Sequence, residues 1–131
     1  MIVLDASVLT FVVAQAETVG AGARSVLREA GAASVPDIAD IETVSALRRL
    51  WRTGKLDLEQ FRTATGDLVA LPLARYPSRP LLGRAYTLRD NLTPYDACYV
   101  ALAETLSCPL YTADVRLANA PGSKCEIRLF P

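Results

Sequence analysis

Histidine is absent from the 131 residues of this chain. That gap removes Ser-His-Asp and Cys-His nucleophile systems, imidazole general bases, and histidine-ligated zinc or iron. Cysteine is scarce: Cys98, Cys108 and Cys125 are odd in number and lack C-x-x-C spacing, which argues against a disulfide framework and against a zinc site. They read as small core residues in a reducing compartment. Lysine occurs only at Lys55 and Lys124, and 14 basic residues balance 14 acidic ones, so no global positive charge gathers nucleic acid. A polyanionic substrate would be held by local arginines, whose fork suits phosphate and carboxylate alike, or by metal. The most apolar stretch, residues 1–16, is interrupted by Asp5, lacks a basic leader and is shorter than the roughly 20 residues of a spanning helix. A soluble, cytoplasmic protein with no membrane segment is expected.

Apolar residues, by contrast, make up 51% of the chain, enough for one domain over residues 1–131 to bury a core without disulfides or structural metal. Residues 1–4 are a continuous apolar run with β-branched Ile2 and Val3, which predicts a buried strand ending at Asp5. A helix is predicted to start directly after Asp5 and run through Val8 to Ala14, and another over 18–30, stopped by Gly31, with a short strand at 33–35 ahead of Pro36. Pro36-Asp37 then opens a helix to residue 53, closed by Gly54. Further helices are expected over 58–71 and 79–89, and one begins at Thr93-Pro94 and runs to Leu106 with Tyr95, Tyr99, Leu102, Ala103 and Leu106 on one apolar face. Residues 73–76, 109–112 and 126–130 read as strands. Short apolar strands alternating with helices indicate an α/β fold, its mostly parallel sheet covered by helices on both faces. In such sheets, sites lie beyond the carboxyl ends of the strands, where Asp5 and Asp114 would both fall.

Four acids stand out, each with an ordinary explanation beside it. Asp5 is the only charged residue among the first sixteen, at a strand-to-helix junction where an aspartate also serves as a helix cap. Glu42, inside the helix opened by Pro36, has Ile38, Ala39, Ser45 and Ala46 at helical spacing and so no counterion on its own helix; a solvated glutamate would look the same. Asp37 and Asp40 there look like first-turn acids complementing the helix dipole. Asp96, in Thr93-Pro94-Tyr95-Asp96, has the spacing of a capping box, yet begins an almost wholly apolar helix. Asp114 follows an apparent strand and suits the cap of a short helix through Leu117 and Ala118, with Arg116 as a charge partner.

Taken together, these carboxylates would repel one another and raise at least one pKa unless a cation joined them. With oxygen donors only, that cation should be hard, Mg²⁺ or Mn²⁺ rather than Ca²⁺, since no Gly-bearing calcium loop is present. Such a site suits metal-assisted hydrolysis of phosphodiesters.

The sequence resembles the PIN-domain family, and within it the VapC-type toxins of type II toxin-antitoxin systems. The resemblance rests on MIVLDASVL at residues 1–9, PDIADIE at 36–42, TPYDACYVALAE at 93–104 and LYTADVRLA at 110–118. It implies a Rossmann-like three-layer fold, magnesium-dependent endoribonuclease activity on RNA, and metal held by Asp5, Glu42, Asp96 and Asp114. Ser7 and Thr112 match hydroxyls that accompany the first and last of these acids, where a hydrogen bond would orient a carboxylate; structural turns also explain both. Homodimerisation and a cognate antitoxin lying over a groove are implied too, with residues 9–13 as a stretch of interface or of core helix. Arg84 and Arg89 read as a solvated face, with RNA phosphates as the other use. One departure stands out: many relatives carry a further acid two or three residues after the last aspartate, where this chain has Arg116 and Leu117, which puts a second metal in doubt.

Two other readings compete. In one, Asp5 is itself phosphorylated, but Asp-Ala-Ser lacks the second aspartate of haloacid-dehalogenase-type motifs and no lysine follows a candidate acidic strand end until Lys124. In the other, the chain is a catalytically silent PIN-fold module that binds a protein, its acids serving as caps.

Overall fold

A computed structural model describes residues 1–14 and 17–131, with the backbone alone at Glu17. The end of the apolar stretch read over residues 1–16 therefore lies outside the described residues. Among the described residues five short strands, β1 (Ile2–Leu4), β2 (Ala33–Pro36), β3 (Ala74–Tyr76), β4 (Leu110–Thr112) and β5 (Ile127–Leu129), form one sheet in the order β3-β2-β1-β4-β5. Every pairing is parallel. β1 and β2 are buried at each position, as the unbroken apolar run demands of strands covered on both faces. Pro36 ends β2 rather than opening a helix: it has no N–H to give, and the next backbone bond passes to Asp37 N, which donates to Tyr76 O at 2.7 Å.

Seven helices connect and cover the strands among the described residues: α1 (Ala6–Ala14), α2 (Glu17–Ala30), α3 (Ile38–Arg52), α4 (Leu58–Ala70), α5 (Leu82–Thr87), α6 (Pro94–Leu106) and α7 (Val115–Ala118). α1 packs against β4 and carries α2, α3 and α4 around it, while α6 lies along β1, β2 and β4 with α5 against it, the two outer layers of a three-layer α/β fold. Gly31 and Gly54, both at positive φ, follow α2 and α3 where a side chain would be strained.

Two elements depart from the sequence expectation. Residues 79–89 do not form one helix: Arg79–Leu81 is a 3₁₀ turn with Pro80 in it, its Leu81 N–H bonded to Ser78 O, and α5 starts only at Leu82. α6 was expected to have one apolar face, but all residues from Ala97 to Ala103 are buried, because the helix is wedged between the sheet and α5. Tyr95, assigned to that face, is 58% exposed. Of the cysteines only Cys98 is buried; Cys108 and Cys125 are half-exposed, and all three are free thiols. No single described helix is long and apolar enough to cross a membrane.

Arginines tie the elements of the frame together. Arg75 of β3 forks onto Asp40 of α3 at 2.8 and 3.2 Å, so Asp40 serves a tertiary ion pair beyond its place near the helix dipole. Arg84 forks onto Glu104 of α6 at 2.8 and 3.1 Å and also donates to Gly122 O, while Arg89 lies 4.4 Å over the Tyr86 ring. Arg24 of α2 donates to Val12 O near the end of α1.

Thr43 of α3 is the counterexample: it is fully buried, and its hydroxyl has no partner among the described residues. Val has nearly the same shape without a group to desolvate, so Thr43→Val should stabilise the protein by about 1–2 kcal/mol. The midpoint of urea unfolding should rise with an unchanged slope. A lower midpoint would mean that the hydroxyl is satisfied in solution.

Candidate active site

The sheet order turns at β1: the chain passes from β1 to β2 on one side and returns to β4 on the other. The carboxyl ends of β1 and β4 therefore flank a crevice, the usual ligand position in an open parallel sheet. Asp5 follows directly on β1 and is 5% exposed. Its Oδ1 accepts from Val8 N at 3.1 Å, the bond of a helix N-cap, and from the Ser7 hydroxyl at 2.5 Å. Its Oδ2 accepts from the Thr112 hydroxyl at 2.5 Å, across from β4. Capping is thus real, but it occupies one of the two oxygens.

Ser7 and Thr112 in turn fix the chain after β4. Ala113 N donates to Ser7 Oγ at 2.9 Å and Asp114 N to Thr112 Oγ1 at 3.0 Å. Each hydroxyl gives its proton to Asp5 and receives an amide from the Asp114 segment, so one relay positions both acids. Asp114 also caps α7, its Oδ1 accepting from Arg116 N at 2.8 Å and Leu117 N at 3.4 Å. At Asp96 the capping box is half made: Asp96 N donates to Thr93 Oγ1 at 3.2 Å, while the carboxylate turns to Arg116 Nη2 at 3.1 Å. The same nitrogen is 3.3 Å from Asp114 Oδ2. Glu42 comes from α3, half-buried, with Oε1 accepting from the Tyr99 hydroxyl at 2.8 Å.

All four acids lie in one electrostatic neighbourhood. Burial raises the Asp5 carboxyl above its ordinary range; its three donors oppose this, and the Asp96 charge adds to it. Glu42 is raised by burial, against the pull of Tyr99, and further by Asp96 and Asp5. Burial likewise raises Asp96, with Arg116 opposing and Asp114 adding to the shift. The Tyr99 phenol is pushed upward by burial and by Glu42, so it stays protonated and remains a donor. Among the described residues Asp5 and Glu42 thus have neutral donors only, an arrangement costly for ionised carboxylates.

The donor set fits a hard divalent cation: oxygen throughout, excess negative charge, and a guanidinium already drawn between two of its members. As the side chains stand, no three acids, cysteines or histidines among the described residues are arranged as a metal-binding group. Asp96 and Asp114 are turned to Arg116 instead.

Sequence reasoning singles out the four acids and both hydroxyls; Asp5 meets Ser7 and Thr112, Asp96 and Asp114 share Arg116, and Glu42 is bonded to Tyr99 and feels Asp96 and Asp5 through their charge. It missed two neighbours. Tyr99 was placed on a packing face, although a tyrosine one helical turn from Asp96 on a buried helix needs a partner for its hydroxyl. Arg116 was paired with Asp114 only; its second contact, with Asp96, joins elements twenty residues apart. Arg84 and Arg89 are engaged with Glu104 and Tyr86.

The PIN domain matches residues 2–123 of this chain. Ribonuclease VapC9 of Mycobacterium tuberculosis is 40% identical over 131 residues, covering 100% of this chain and 99% of that protein. PAE2754 from Pyrobaculum aerophilum has a similar crystal structure, with a TM-score of 0.73 at 21% identity over 96% of this chain and 81% of its own. A chain in the structure of VapBC2 from Rickettsia felis, bound to a DNA fragment from their promoter, matches with a TM-score of 0.69 at 13% identity over 100% of both chains. The two solved structures speak for the fold alone, the sequence matches for descent. The chain belongs to the PIN-domain family and, within it, to the VapC proteins.

Proposed function

We propose that this protein is a metal-dependent endoribonuclease, the toxin of a toxin-antitoxin pair, with Mg²⁺ or Mn²⁺ held by Asp5, Asp96 and Asp114 together with Glu42. The observation that carries this reading is Asp5: a buried carboxylate with three neutral donors and no cationic partner among the described residues, facing Asp96 and Glu42. A helix cap does not need such company.

When bound, the metal supplies Lewis-acid activation of a water and compensates charge gathering on the phosphate. The protein's own groups do the rest. Ser7 and Thr112 hold Asp5 in a single rotamer, and the amides they accept fix Asp114 beside it. Tyr99 occupies Glu42 Oε1 and so orients this carboxyl, whose burial helps it receive a proton. A cleft of about 740 Å³, lined by Ser7 and Ala113 from the site and by Arg49 and Lys55, offers cations to the phosphates of an entering strand. Phe11, Leu50 and Leu56 in the same cleft suit an apolar segment of the cognate antitoxin. The protein is expected to act as a homodimer in the cytoplasm, as a single domain.

Purified, antitoxin-free protein should cleave a structured RNA pool with Mg²⁺ or Mn²⁺ and not with EDTA. Asp96→Asn removes charge at constant shape, and should lower the rate by more than about 100-fold, because loss of groups that merely support a metal ligand already costs up to that much. Well-folded protein that cleaves none of a varied RNA set with any metal would sink the reading and favour the protein-binding module.

A further inference from the structure

Arg116 is the one cationic side chain among the described residues that bonds any of the four acids. Its grip differs from that of the structural arginines. Arg75 and Arg84 each fork two nitrogens onto one carboxylate and add backbone carbonyls, so their heads are fixed from several sides. Arg116 instead shares a single nitrogen between Asp96 Oδ2 at 3.1 Å and Asp114 Oδ2 at 3.3 Å, from a side chain that is 65% exposed. The carboxylates are more sheltered than the arginine, Asp114 at 37% and Asp96 at 19% exposed, but an ion pair whose cation stands in solvent is screened and is weakened by salt. The backbone does not share that looseness: Arg116 N is bonded to Asp114 Oδ1, which keeps the stem beside the site whatever the head does.

A cation tethered next to two carboxylates competes for them with every other cation. We propose that Arg116 is a built-in counterion that a divalent metal must displace from Asp96 and Asp114, and that it thereby sets the metal concentration at which the site fills. This rests on the metal-dependent reading above. The guanidinium neutralises the pair when metal is scarce and yields when metal is plentiful, because a singly charged group reaching both carboxylates through one nitrogen is a weaker partner for them than a divalent ion.

The test is calorimetric titration of Mn²⁺ into the full-length, EDTA-stripped protein, comparing wild type with Arg116→Gln, Arg116→Lys and Asp96→Asn. Arg116→Gln keeps most of the stem at an exposed position and should bind Mn²⁺ about 2- to 10-fold more tightly, as removal of one or two ion pairs with a solvent-exposed cation implies. Arg116→Lys, with a point charge in place of a fork, should fall between it and wild type. The advantage of Arg116→Gln should shrink as ionic strength rises. A merely structural Arg116 would give the opposite sign, weaker binding on its removal. Equal or weaker Mn²⁺ binding by Arg116→Gln, in a protein whose binding is lost in Asp96→Asn, overturns the counterion and leaves the metal site standing. Absence of Mn²⁺ binding from both wild type and Arg116→Gln overturns the two together.

Discussion

Asp5→Asn is expected to cut metal-dependent RNA cleavage by more than about 100-fold while leaving the unfolding temperature in EDTA unchanged or raised. The two halves of this result come from the same geometry. As an N-cap, Asn is as good as Asp, so the bond from Val8 N survives the change. The Ser7 hydroxyl can still donate to the amide oxygen, and the amide nitrogen can donate to Thr112 Oγ1. What disappears is a charge buried without a counterion, whose removal relieves desolvation and the repulsion from Asp96. A purely capping Asp5 predicts no functional change. Asp5→Ala is the control that separates the roles: it loses the cap as well, and should lower stability by about 1 kcal/mol. Paired cleavage assays and thermal melts in EDTA read both quantities. Full activity of Asp5→Asn would leave the carboxylate with no role beyond the cap.

Parts of the fold and of the candidate site are legible in the sequence for physical reasons, and others are not. Asp5 and Asp114 each end an apolar strand, and in a parallel sheet such ends converge, so two of the acids were placed by local pattern alone. The helix stops at Gly31 and Gly54 were legible because positive φ selects glycine. What stayed hidden depends on contacts between distant segments. The full burial of residues 97–103 follows from a wedge between sheet and helix that no period within α6 encodes. The break at Pro80 is an ambiguous local signal, since proline at the start of a turn permits either one helix or two. Glu42 looked like a solvated glutamate, because its partner Tyr99 lies 57 residues away. Arg116 looked like a local partner of Asp114, and its bridge to Asp96 appears only when α6 and α7 are brought together. For Asp5 and Asp114 the capping readings hold as structure, and each acid caps with one oxygen while the other accepts from Thr112 or Arg116, contacts that no local pattern announces for Asp5.

The pH dependence of stability should change sign with metal. Asp5, Glu42 and Asp96 are all raised by burial in the folded protein, whereas in the unfolded chain they titrate near about 4. Between those values the native state binds more protons than the unfolded one, so stability falls as pH rises through the raised pKa values. The cost is absent below the unfolded pKa and complete above the folded one. Glu104, lowered by its bonds from Arg84 and Lys124 N against the opposing effect of burial, works the other way, and its contribution is lost as pH falls below about 4.5. The protein in EDTA should therefore melt at its highest temperature on the mildly acidic side, above about pH 4.5, and at a lower one at neutrality. Divalent metal reverses the slope, because it binds the deprotonated carboxylates and competes with protons for them. At a hundredfold excess over its dissociation constant the metal adds about 2.7 kcal/mol, which for a chain of this length raises the melting temperature by roughly 8 °C or more at neutral pH. The shift should shrink as pH falls toward 5. Melting curves from pH 5 to 8, with EDTA and with Mg²⁺ or Mn²⁺, read this directly: two profiles that diverge with rising pH are expected, and parallel profiles would mean that the buried acids share no metal.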